Sequence, residues 1–148
     1  MAGSVQELVA RAKSQIRNLS VDEFARALET DSVSIVDVRE PDEVARDGAI
    51  PGAVQAPRGL LEFWADPDSS YHRPEFDPAR RTLLYSASGG RSALAVQALQ
   101  GLGYADVAHL DGGLTAWKEH GRPVTLRASQ RESAGSGGRA PEDDWRSS

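Results

Sequence analysis

Cysteine is absent from the 148 residues. That excludes disulfides and thiolate metal sites, and it removes the most common sulfur nucleophile. No apolar run approaches the ~18 residues that a membrane-spanning helix needs. A basic excess is also missing: 17 Lys and Arg stand against 22 Asp and Glu, a formal charge of −5. Nothing in that balance favours nucleic acid as a partner. The start, Met1-Ala2-Gly3-Ser4, lacks the charged and apolar regions of a signal peptide, so a cytoplasmic location is expected. No internal repeat is visible. What remains is ordinary for one globular domain, with 26% charged and 39% hydrophobic residues.

In chain order, residues 4–18 read as an amphipathic helix with Val5, Leu8, Val9, Ala12 and Ile16 on one face. Ser20 and Glu23 form a capping box that opens a second helix, running to about Leu28. The β-branched run from Val33 predicts a strand ending at polar Asp37-Val38-Arg39-Glu40, and Pro41 suits the first turn of a helix. Residues 48–53 carry turn chemistry before a short strand at Val54-Gln55-Ala56 and a short helix over Leu60–Trp64. The Pro-, Asp- and Ser-rich segment from Asp66 to Arg80 reads as an ordered surface loop. A strand through Leu83-Leu84-Tyr85 then turns sharply into a helix from Ser92 to Leu102. Val107–Leu110 reads as the next strand, and Leu114–Glu119 begins a last helix. From about residue 126 the chain is poor in apolar residues and is expected to be disordered.

Short strands alternating with helices imply parallel pairing in an α/β layered fold. Ligands in such sheets sit beyond the carboxyl ends of the strands. Asp37–Glu40, Ser86–Arg91 and Asp111–Gly113 all follow strands, so they are expected to converge. Among them, Ser86-Ala87-Ser88-Gly89-Gly90-Arg91 has the character of an anion-binding loop. A strand-to-helix turn aims successive N–H groups into one bowl at the positive end of a helix dipole. Gly89 and Gly90 let a ligand approach the backbone closely, and Arg91 adds a permanent cation. Ser86 stands where a nucleophile would.

Three stretches together resemble the rhodanese (thiosulfate sulfurtransferase) family. They are Val36–Glu40 followed by Gly48–Ala53, the loop Ser86–Arg91, and Leu110-Asp111-Gly112-Gly113-Leu114-Thr115-Ala116-Trp117. The resemblance implies a five-stranded, mostly parallel sheet with helices on both faces. It divides the chain into an N-terminal helical extension (1–18), a rhodanese-like domain (19–125) and a tail (126–148). It implies no cofactor and no metal. The partners it implies are a thiosulfate-like anion and a thiol or cyanide acceptor, with neither nucleic acid nor membrane. Two positions depart from the family: Ala49 replaces a usual His, and Ser86 replaces the Cys of active members. Serine is barely ionised at neutral pH and forms no persulfide. The six-residue loop is shorter than that of the related dual-specificity phosphatases and arsenate reductases, which argues for sulfur chemistry over phosphate.

Each candidate has a functional and a structural reading. Ser86 is an engineered Cys→Ser replacement, a natural substitution in a binding-only relative, or a serine nucleophile. The last needs a base beside it, and no motif brings His72, His109 or His120 there. The N–H groups of Ala87, Ser88, Gly89, Gly90 and Arg91 are the expected anion cradle. Arg91 is either an anion ligand or the partner of a distant carboxylate. Asp37 and Arg39 border the pocket or form a buried buttress, with Arg39 and Glu43 spaced to pair along a helix. Arg58 is a candidate substrate contact in a cluster with Trp64, Tyr71 and His72, whose alternative role is loop anchoring. Trp117 reads as core, and Gly112 and Gly113 as turn backbone.

Overall fold

Two capping boxes start the first two helices. The structure, a computed structural model, describes residues 3–30 and 32–126. Ser4 accepts from the Glu7 N–H and Glu7 caps the Ser4 N–H in return, opening α1 (Val5–Lys13). Ser20 and Glu23 repeat the arrangement at α2 (Val21–Ala27). The helix expected to reach residue 18 ends at Lys13. There the Asn18 amide donates to the carbonyls of Lys13 and Ile16, and the chain turns into an unexpected short strand, β1 (Arg17–Leu19). The boundary expected at residue 19 therefore falls inside a strand.

The remaining elements are β2 (Val33–Asp37), α3 (Pro41–Asp47), β3 (Val54–Gln55), a 3-10 turn (Arg58–Leu60), α4 (Leu61–Ala65), β4 (Arg81–Tyr85), α5 (Gly90–Gly101), β5 (Val107–Leu110) and α6 (Gly113–Glu119). Their strands form one parallel sheet in the order β1-β5-β4-β2-β3. An isolated antiparallel bridge, Ala49 with Thr125, ties down the turn after α3. The fold is α/β with helices on both faces. Alternation along β4 divides the core. Leu84 joins Val36, Trp64, Val96 and Leu99 beneath α4 and α5. Leu83 and Tyr85 join Phe24, Leu110 and Trp117 beneath α2 and α6. α1 packs on the outside of α5. No helix among the described residues is long and apolar enough to cross a membrane. The tail expected to be disordered lies outside the described residues, apart from Leu126.

Candidate functional site

The carboxyl end of β4 leads directly into the loop, and the start of α6 holds that loop from behind. The Leu114 N–H donates to the Ser86 carbonyl at 2.9 Å, and the Thr115 N–H to the Ala87 carbonyl at 3.0 Å. Approach this close requires glycine at 113: a Cβ there would lie 2.5 Å from both carbonyl oxygens, and its φ is +62°. With the carbonyls drawn toward α6, the N–H groups face the other way. Among the described residues, those of Ala87 through Arg91 have no hydrogen-bond acceptor. They sit at the N-terminus of the 12-residue α5, where the helix dipole adds positive potential. Gly89 takes φ +104°, which brings the chain round into the helix.

Ser86 lies at the floor and is buried. Its Oγ accepts from the Ser92 N–H at 3.1 Å and donates to Ser92 Oγ at 3.3 Å. Ser92 Oγ is in turn 2.7 Å from His109 Nδ1, and His109 Nε2 is 2.8 Å from Asn18 Oδ1. Directions follow from Asn18, whose amide nitrogen is engaged by two carbonyls, leaving Oδ1 to accept. His109 then carries its proton on Nε2, and Nδ1 accepts from the Ser92 hydroxyl. Thus His109 does connect to Ser86, at one remove, although no motif placed it there. Burial pushes the His109 pKa down to about 4, against the attraction of Asp111. A neutral imidazole so averse to a proton is a weak base, which disfavours Ser86 as an activated nucleophile.

The structure pairs Arg91 with Glu43 of α3 through two parallel hydrogen bonds of 2.7 and 2.8 Å. The Arg91 contact holds the Glu43 carboxyl down at about 2. The helical pair expected between Arg39 and Glu43 does not form. Arg39 turns instead to Asp37, with contacts of 3.0 and 2.6 Å, and to the Gly48 carbonyl at 2.6 Å. Tyr85 donates to Asp37 at 2.7 Å and accepts from the Ile50 N–H at 2.9 Å. Burial, reinforced by Asp37, drives the Tyr85 pKa far up. Asp37 and Arg39 are buried and present no surface to a ligand. They brace the ends of β2 and β4 under the site.

Arg58 sits at the 3-10 turn, 2.7 Å from Glu62, and does not line the cleft over Ser86. Its neighbours anchor the 66–80 segment: Arg73 stacks on Trp64 at 3.9 Å, Tyr71 meets Phe63 edge-on, and His72 contacts the Phe76 carbonyl. Sequence reasoning missed Ser92, His109, Asn18, Glu43 and the part played by α1. α1 forms one wall of a cleft of about 560 Å³ over Ser86. Among the described residues no group of three or more His, Cys, Asp or Glu is placed to hold a metal ion.

The fold is a parallel α/β sheet whose strand–loop–helix turn at the carboxyl edge presents a row of backbone N–H groups. Within the α/β class the chain belongs to the rhodanese-like family, whose domain matches residues 20–120. It is 36% identical over 99 residues to a sulfurtransferase of Allochromatium vinosum, covering 67% of this chain and 84% of that one. It is 31% identical over 106 residues to the thiosulfate sulfurtransferase GlpE of Shewanella oneidensis, covering 72% and 96%. Other relatives are longer: the chain spans 60% of a Synechocystis protein and 21% of a Mycobacterium tuberculosis protein described as a probable adenylyltransferase/sulfurtransferase, MoeZ. Among solved structures, a Rhodopseudomonas palustris protein described as a possible tyrosine phosphatase matches with a TM-score of 0.79 and 38% identity. That match covers 84% of this chain and 96% of that one.

Proposed function

We propose that the chain is a rhodanese-like sulfurtransferase scaffold that binds a sulfur oxyanion through the loop N–H groups without transferring sulfur, because Ser86 occupies the nucleophile position. The observation that carries this reading is the fan of acceptorless N–H groups from Ala87 to Arg91 above Ser86 Oγ. A thiolate at residue 86 would attack the outer sulfur of thiosulfate. The S–S bond would break, sulfite would leave with the electron pair, and a persulfide would remain. Cyanide or a thiol would then take the sulfane sulfur and restore the thiolate. Serine supports neither half of that cycle. Arg91, already paired with Glu43, acts by setting the loop's shape.

The test is Ser86→Cys with cyanide-dependent thiocyanate formation from thiosulfate. We expect activity in the variant and none with Ser86. In the Ser86 protein, thiosulfate is expected to raise the melting temperature, since a ligand that binds only the folded state stabilises it. The lack of any cysteine favours a second reading, a binding or regulatory module using the same loop to hold an anion or a partner. An inactive Ser86→Cys variant that still binds thiosulfate would select it. Hydrolysis of an aryl phosphate by that variant, without thiocyanate formation, would select a phosphatase instead.

A further inference from the structure

The cleft over Ser86 is much larger than inorganic thiosulfate, and one of its walls is α1, which precedes the matched domain. Its volume of about 560 Å³ equals roughly nineteen waters at ~30 Å³ each and lies within the ~300–1,000 Å³ of small-molecule sites. Val5, Val9 and Ala10 of α1 face Ser86, Gly90 and Leu94 across it. α1 comes close enough that a Cβ at Gly90 would touch Val9 Cγ2 at 3.7 Å. All of α1 precedes residue 20, where the family match begins. Val5 is 68% exposed, an apolar side chain with surface left to bury.

Charge at the rim narrows the choice further. Among the described residues, the cations lining the cleft are Lys13, 2.9 Å from Asp111, and Arg91, paired with Glu43, so both are already neutralised. The loop N–H groups can meet one negative charge. Among the described residues, the second charge of a dianion would find no free cation at this rim, on a chain whose formal charge is −5. The apolar wall meanwhile rewards an apolar body.

We infer that the site takes a small organic sulfur monoanion with an apolar substituent, its charged head on the loop N–H groups and its substituent between α1 and Leu94. This rests on the reading of the loop as an anion cradle. The test is calorimetric titration of the full Ser86 chain with benzenethiosulfonate and with inorganic thiosulfate at equal ionic strength. Burial of the ring is expected to make the aryl compound bind about tenfold tighter. Ala10→Phe fills the cleft from α1 and should remove the aryl compound's tenfold advantage over thiosulfate. Val5→Ser, at an exposed position, serves as the second variant and should lower only the aryl affinity. Thiosulfate binding as tightly as the aryl compound would overturn this inference and leave the loop reading standing. An aryl preference untouched by both variants would overturn the role of α1. Absence of binding by either compound would overturn the anion cradle as well.

Discussion

Arg91 and His109 are where single residues behave least like their sequence suggests. A cation beside a strand–loop–helix turn invites assignment as an anion ligand, yet Arg91 is held by the carboxylate of Glu43. Glu43 titrates near 2 in the folded chain and near 4.5 unfolded. The pair's contribution is therefore present above about pH 4.5 and is lost as the pH falls toward 2. Partial solvent access limits it to roughly 1 kcal/mol. His109 acts in a separate window. Burial lowers it from 6.5 to about 4, so between those values the unfolded chain holds a proton that the folded chain refuses. Stability is full above pH 6.5 and declines toward pH 4, by about 3 kcal/mol. Asp111 and Lys13 are the charged groups acting on His109. Urea midpoints measured from pH 7 to 4 should show the decline, and His109→Leu should flatten it. A decline of the same size in His109→Leu would assign it to other groups.

At the scale of elements, the loop is shaped less by its own residues than by the start of α6. Gly113→Ala sets a methyl carbon against the Ser86 and Ala87 carbonyls at a positive φ. The strain and the forced retreat of the loop should cost about 3 kcal/mol and abolish the thermal shift with thiosulfate. Gly121→Ala, also at positive φ but with open space around its Cβ, is the control for backbone strain alone and should keep the thiosulfate shift. The contrast also marks what a sequence discloses. α2, β4, α5 and the loop were legible because their signals are local: a capping box, a β-branched or apolar run, paired glycines before a helix. β1 was not, since three residues carry no period and its partner, β5, lies far along the chain. The Arg91–Glu43 pair spans 48 residues and the His109–Asn18 contact 91. Such partners are chosen by the packed sheet, and nothing beside either residue announces them. Gly113 was read as turn backbone, which is true, but its contact with the loop comes from the tertiary fold.

The molecule as a whole is braced by the buried Asp37–Arg39–Tyr85 cluster, which joins β2, β4 and the turn that Thr125 clamps. Asp37 meets Arg39 in two hydrogen bonds, Tyr85 reaches Asp37 from β4, and Arg39 holds the Gly48 carbonyl. Breaking a buried pair from one side leaves an uncompensated charge, a loss of about 3–5 kcal/mol. That is a large part of the ~5–15 kcal/mol of a typical domain. The cluster lies beneath the cradle and out of the cleft, so stability and binding should separate. Arg39→Met is expected to lower the unfolding free energy from urea titration by that amount. Tyr85→Phe strands the Ile50 N–H and should lower it by about 1–3 kcal/mol. In either variant, at temperatures where it stays folded, thiosulfate affinity should remain within about twofold, below the 1.4 kcal/mol that a tenfold change represents. A tenfold loss of affinity in folded Tyr85→Phe would return Asp37 and Arg39 to the binding site.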